Sequence, residues 1–299
     1  GQSNTFLRLH IRIRTSYKSI MSAATTEIES VTFDEKKIGT EEISECFLWT
    51  EAEAQEHSRC QGGASNCGAT ALLNVLAALN LPQPEADAAD KAVKTNLRKH
   101  NVSLSAYLAA RSVAGTTGED IVEGCALLGP ESALVGRFFP FYPPRKVNLQ
   151  TWLAGWLSRG CSAIATMNFQ KMYGSDAWHH QMIYGVSDNG VYATNGQDVF
   201  SYEELLVGLE SPSILAIRAA DVLRCDPFDA ECCDGIDSRW RDLAVCKQCE
   251  ELKKSKEAGE QVAAHVFIPA AYTAGIAIFA PKDSPAAQQL REASELPMK

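Results

Sequence analysis

The stretch Gln61-Gly62-Gly63-Ala64-Ser65-Asn66-Cys67-Gly68-Ala69-Thr70 decides how the rest of the chain is read. Beyond it Ala69, Leu72, Leu73, Leu76 and Leu79 recur at three- and four-residue intervals until Pro82, so an apolar helix is predicted from near Asn66. Cys67 then stands at a helix start, where unpaired N–H groups and the positive end of the peptide dipole lower a thiol's pKa toward the reactive thiolate. The glycines and Asn66 let the preceding loop turn tightly, so that the thiol can face a cleft. Gln61 offers a side-chain amide donor, and the backbone N–H of Cys67 offers a second. A tetrahedral acyl-transfer intermediate needs two such donors, and losing one costs roughly 10²–10³ in rate.

A cysteine nucleophile also needs a base, and the base an orienting partner. His179 opens a strand pattern, His179 to Val186, and Val191 to Thr194 follows the turn Ser187-Asp188-Asn189-Gly190, whose Asn-Gly pair signals a hairpin. Asn195 lies sixteen residues after His179, so the hairpin brings the two ends side by side. Strand geometry alone does not choose between His179 and His180, because neighbouring side chains face opposite ways. Asp198 is a second candidate orienter. Blander readings stand beside these. Cys67 can be a small apolar core residue, His179 a strand histidine at a polar edge, Asn195-Gly196 a second turn, and Gln61 a solvated loop residue.

These residues resemble the papain-like cysteine peptidases. That family places a glutamine six positions before its nucleophile, in a Gln-Gly loop that leads to a cysteine at a helix start, as Gln61 and Cys67 do here. Its histidine opens a strand with glycine six positions on and an asparagine sixteen on, offsets met by His179, Gly185 and Asn195. The resemblance selects His179 over His180. It implies Cys67 as nucleophile, His179 as general base and acid, Asn195 as orienter and Gln61 as oxyanion donor. Gly68 stands where papain itself carries an aromatic residue. Cys67-Gly68-Ala69 is closer in style to the bacteriocin-leader peptidases (peptidase C39-like), which hold an aspartate where this chain has Asn195. The resemblance covers roughly residues 45–220.

Further elements complete an α+β reading. Helices are predicted at 118–128, with capping-box spacing at Thr116 and Glu119, and at 149–159, with Asn148 as N-cap and Gly160 as stop. Cys161 to Met167 and Ser213 to Ala219 read as strands, and Ser201 and Glu204 as another capping box. The expected architecture is papain-like, an N-terminal helical layer whose nucleophile helix packs on a C-terminal antiparallel sheet. Three segments are expected. Residues 1–40 form a disordered, targeting or upstream segment, 41–220 the peptidase domain, and 221–299 a cysteine-rich polar insertion with C-terminal strands that can join the main sheet. Residues 261–281 lack acidic and basic side chains other than His265, but Pro269, Gly275 and Pro281 interrupt them. They read as two short strands rather than a membrane span.

Composition narrows the function. The chain of 299 residues carries 28 Lys and Arg against 37 Asp and Glu, a formal charge of -9, which argues against a broad nucleic-acid surface. Beyond residue 26, which the acid-free arm with Arg8, Arg12, Arg14 and Lys18 precedes, the excess of acid is larger and hints at basic or neutral targets. Of the 10 cysteines, Cys225, Cys232, Cys233, Cys246 and Cys249 cluster. Cys246 and Cys249 form one knuckle of a zinc site, but zinc, disulfides and free thiols all remain open there. The expectation is therefore a cytoplasmic cysteine hydrolase cleaving peptide or isopeptide bonds through a Cys67 thioester, needing no metal or organic cofactor. Its partners would be peptide or protein substrates, without nucleic acid or membrane. An acyltransferase or transglutaminase-like enzyme using the same thioester, and a papain-like module used only for binding, are the alternatives.

Overall fold

The computed structural model describes residues 45–63, 65–128, 134–170, 178–195, 198–230 and 236–299. The expectation for residues 1–40, and those for Cys232 and Cys233, lie outside this set. Residues 42–299 form one compact unit, so the composition change near residue 220 is not a boundary between separate bodies.

In chain order the elements begin with β1 (Cys46–Phe47), α1 (Glu51–His57), α2 (Cys67–Ala78), α3 (Ala86–Ala92), α4 (Leu104–Val113), α5 (Gly118–Leu127) and β2 (Leu134–Pro140). Next come α6 (Leu149–Ser158), β3 (Ser162–Asn168), β4 (Trp178–Ser187), β5 (Gly190–Ala193), β6 (Val199–Phe200), α7 (Tyr202–Leu209) and β7 (Ile214–Arg218). The chain closes with α8 (Ala219–Val222), α9 (Ser238–Asp242), α10 (Val245–Glu257), β8 (His265–Pro269), β9 (Gly275–Pro281) and α11 (Pro285–Glu292). The fold is α+β.

The main sheet runs β2-β9-β3-β4-β5-β6, with β1 paired to β4, and its pairings are antiparallel. Helices cover both faces. On one face Leu72, Leu76 and Ile121 of α2 and α5 pack on Ile164, Met182, Tyr184 and Phe279. On the other, Leu153, Leu157, Leu205 and Leu290 of α6, α7 and α11 pack on Ala163, Ala165, Ile183 and Ile278. With both faces covered, β3 is buried along its whole length and reads as an apolar run without alternation. β9, from the C-terminal segment, lies between β2 and β3, one strand in from the sheet edge.

β7 and β8 make a separate two-stranded sheet. It shares a third core with Leu104 and Leu108 of α4, Trp240 of α9, Cys249 and Leu252 of α10, and Trp178 at the start of β4. Side-chain amides close both of its edges. Gln170 accepts from Ala216 N at 3.0 Å and donates to Ala216 O at 2.9 Å. Gln248 does the same for Phe267, at 2.8 and 3.0 Å. Each amide supplies the donor–acceptor pair that a further strand would supply, which blunts an exposed edge.

The cap of α5 is displaced by one residue from its expected place. Thr117, not Thr116, is the N-cap, and Asp120, not Glu119, completes the capping box. Thr116 Oγ1 instead pairs with Thr95 Oγ1 and donates to the carbonyl of Lys94, bonds that local spacing cannot reveal. Among the described residues no helix is long and apolar enough to cross a membrane.

Candidate active site

Three chain segments meet at the N-terminal end of α2. The loop carrying Gln61 precedes the helix, β4 opens beside it, and the β5–β6 connection carries Asn195. Asn195 adopts a left-handed backbone, φ 65°, which asparagine tolerates better than most residues. The expected Asn195-Gly196 turn extends beyond the described residues. The Asn195 amide nitrogen lies 3.0 Å from Nε2 of His179 and donates to Gln61 Oε1 at 3.1 Å. Gln61 N donates to Asn195 Oδ1 at 3.4 Å. Gln61 thus uses its carbonyl oxygen on Asn195 and keeps its own NH₂ as a donor.

With Nδ2 toward the ring, Nε2 of His179 acts as acceptor and the proton sits on Nδ1. Turning the amide over would present Oδ1, the arrangement a protonated ring needs. Phe169 packs edge-on to the imidazole, ring centroids 5.2 Å apart. Asp198, the second candidate orienter, accepts from Gln181 Nε2 at 2.8 Å and reaches His179 only through its charge.

His180 is fully engaged elsewhere. Its Nε2 lies 2.8 Å from the carbonyl of Thr116 and its Nδ1 3.0 Å from Thr166 Oγ1. A carbonyl accepts only, so Nε2 carries the proton and Nδ1 accepts from Thr166. Neither nitrogen is left for a thiol. Nδ1 of His179, by contrast, has no hydrogen-bond partner among the described residues.

Cys67 is the first residue of α2, and the N-cap Asn66 uses its side chain on Asp90, 2.7 Å away, rather than on the helix. The peptide N–H groups of His180, Gly68 and Cys67 itself act on the sulfur and favour the thiolate, but burial outweighs them and holds the thiol pKa above its ordinary value. The expected depression by the helix terminus is thus overcome by desolvation. Burial likewise pushes the His179 ring below its ordinary value, against a smaller opposing pull from Asp198. Both shifts favour the uncharged forms of the thiol and the imidazole. No hydrogen bond joins them among the described residues, and the sulfur instead adjoins the backbone of the residue after His179.

Asn74, two turns beyond Cys67 on α2 and fully buried, ties the segments together. It accepts from Arg59 N at 2.7 Å, donates to Arg59 O at 3.1 Å, and lies 3.3 Å from Thr194 Oγ1. From the opposite face Gln181 Nε2 donates to Thr194 O at 2.8 Å. One helix thus positions the residues just before both Gln61 and Asn195. Asn74 was not singled out from sequence; the available signal was a polar residue inside an apolar helical run.

Cys67 opens onto a cleft of about 70 Å³ whose walls include Arg98, Arg111, Thr116, Trp178 and Tyr272. In the C-terminal region Cys225 and Cys249 are free thiols, and Cys246 Sγ donates to the carbonyl of Ala230 at 2.7 Å. Among the described residues no group of three His, Cys, Asp or Glu side chains is placed to hold a metal ion. No family model, curated protein or solved structure matches the chain.

Proposed function

We propose that the protein is a papain-like cysteine hydrolase that cleaves peptide or isopeptide bonds. The observation that carries this reading is the hydrogen-bonded series Gln61–Asn195–His179 at the mouth of a helix that starts with Cys67. Three residues separated by up to 134 positions converge there, in the order that nucleophilic acyl transfer requires.

In this reading the Asn195 amide turns its Oδ1 to Nε2–H of His179, so that the neutral ring presents an unprotonated Nδ1 to Cys67. As Sγ bonds to the scissile carbonyl carbon, His179 takes the thiol proton and the carbonyl π electrons move to oxygen. The Gln61 amide and the Cys67 N–H donate to that oxyanion. His179 then gives the proton to the leaving amine as the C–N bond breaks, leaving a thioester. A water deprotonated by the same ring attacks the thioester and releases the acid and the thiol. Asn195 keeps the ring in plane and accepts from Nε2–H throughout, while Nδ1 takes and returns the proton. The α+β arrangement, with the nucleophile helix packed on an antiparallel sheet, supports the papain-like assignment. A reducing compartment, the cytosol, suits a mechanism that depends on a free thiol.

The test is a fluorogenic peptide-amide library assayed with the wild type and with Cys67→Ala, His179→Ala and His180→Gln. Loss of turnover in the first two with retention in the third fits the reading. Turnover that survives Cys67→Ala overturns it.

A further inference from the structure

One wall of the cleft beside Cys67 is made by Tyr272, which comes from the connection between β8 and β9. That segment lies beyond residues 45–220, so the likeness to papain-like peptidases assigns it no role. Its backbone is tied down on both sides of the ring. Ala270 N and Ala271 N donate to Ser213 O and Ser112 O, each at 2.8 Å, and Phe141 N donates to Ala274 O at 2.9 Å. The ring stacks on Trp178, centroids 5.3 Å apart at 17°, and the residue is only 8% exposed. Backbone and stack together fix where the hydroxyl points.

The hydroxyl passes over Gly115. That residue has φ 101°, and a methyl group on it would fall 1.8 Å from Tyr272 Oη, so any side chain there would displace the phenol. The nearby backbone groups are already used. Gly115 N and O bond to Asn96 at 2.7 and 2.9 Å, and the Thr116 carbonyl bonds to His180. Tyr272 Oη, by contrast, has no hydrogen-bond partner among the described residues. Burial first, and then the charge of Cys67, push the phenol above its ordinary value, against smaller lowering contributions from Arg98 and Arg111. The hydroxyl therefore stays protonated and able to donate, close enough to Cys67 to feel its charge. A rigid donor without an acceptor, beside a nucleophile, is suited to an acceptor brought by the substrate.

The cleft also has a side. His180 lines it, and neighbouring strand side chains face opposite ways, so it lies across Cys67 from His179. The leaving amine must sit beside His179, which protonates it. The cleft then faces the acyl part that stays on Cys67.

We propose that the Tyr272 hydroxyl donates a hydrogen bond to the first amide carbonyl on the acyl side of the cleaved bond. Tyr272 is thereby a specificity residue that selects peptide-like acyl groups over plain hydrocarbon ones. This rests on the reading of Cys67 as nucleophile.

The test acylates the full chain with three p-nitrophenyl esters whose acyl chains are equal in length. The N-acetylglycinate carries an amide carbonyl and its N–H, the acetoxyacetate carries the carbonyl alone, and the pentanoate carries neither. In each, Sγ bonds to the ester carbonyl carbon, p-nitrophenolate leaves, and the thiol proton passes to His179. β-Mercaptoethanol in parallel reactions gives the intrinsic rate ratios. Relative to these, Cys67 is expected to favour both carbonyl-bearing esters over the pentanoate by roughly 3- to 10-fold, the effect of one neutral hydrogen bond. Tyr272→Phe keeps the ring and is expected to remove most of that preference without moving the urea midpoint of unfolding. A lowered midpoint would mean that the hydroxyl is bonded within the fold, which contradicts the proposal. Wild-type ratios equal to those of β-mercaptoethanol overturn it without any variant, and so does a preference unchanged in Tyr272→Phe. A Tyr272-dependent preference for the N-acetylglycinate alone also overturns it, because the phenol would then accept from the substrate N–H. These outcomes leave the nucleophile in place. Failure of all three esters to acylate Cys67 overturns the nucleophile reading and the inference with it.

Discussion

Asn74 grips the backbone of Arg59 with both atoms of its amide, at 2.7 and 3.1 Å, from a site with no solvent exposure. Replacing Asn74 by Leu fills the space but orphans the N–H and C=O of Arg59 and removes the bond to Thr194. The expected cost is about 1–2 kcal/mol of unfolding free energy, since the Arg59 backbone is at an exposed residue and water can replace part of what it loses. Urea unfolding measures the loss. Turnover in the folded fraction should also fall, because the Gln61 loop and the Asn195 turn lose their common anchor.

The pH dependence of stability provides a second prediction. Burial pushes His180 from 6.5 down to about 4, with a smaller lowering from neighbouring His179 against raising contributions from the Thr116 carbonyl and Asp120. The folded state therefore holds the ring neutral while the unfolded chain protonates it. Stability from this group is full above 6.5 and is lost as pH falls toward 4. His180→Gln should show a stability loss between pH 7 and pH 4.5 that is smaller than the wild type's by about 2 kcal/mol. Equal losses in the two proteins would show that the ring is not buried neutral.

Cys67 reactivity should carry its own pH signature. With the thiol raised and the His179 ring lowered by burial, the thiolate appears only when a base removes the proton. Alkylation of Cys67 by iodoacetamide should rise continuously from pH 6 to pH 9. A plateau extending into acid would instead reveal a preformed thiolate–imidazolium pair.

The amide clamps on the small sheet predict a local effect. Gln248→Ala removes two hydrogen bonds to Phe267 and should cost about 1–2 kcal/mol. Amide exchange at Phe267 should quicken while the main-sheet strand β3 keeps its protection. Uniform acceleration across both sheets would mean that the clamp does not act locally.

Local pattern made much of this architecture legible. The leucine spacing after Cys67 located α2, Asn148 and Gly160 bracketed α6, and Asn189-Gly190 marked the β4–β5 hairpin. Long-range pairing was not legible. Nothing near Gly275 announces that β9 inserts between β2 and β3, and β2 itself escaped notice because Gly136 and Arg137 break its apolar run, Arg137 reaching the carbonyl of Arg291. The four candidate residues were found from offsets along the chain, and the structure joins Gln61, His179 and Asn195 directly. Asn74 was not found, because its contacts join distant segments. The dominance of burial over the helix dipole at Cys67 is likewise a property of packing, which a motif does not encode.

The central claim is that His179 activates Cys67, and single-turnover acylation by a p-nitrophenyl ester tests it most directly. The burst of p-nitrophenol and the mass of the acid-quenched protein report the thioester. The account predicts that His179→Ala slows acylation by roughly 10²–10⁴, the range of a positioned general base. His180→Gln should keep it within a few-fold, and Cys67→Ala should abolish the adduct. Acylation of Cys67 at the wild-type rate in His179→Ala would contradict the account.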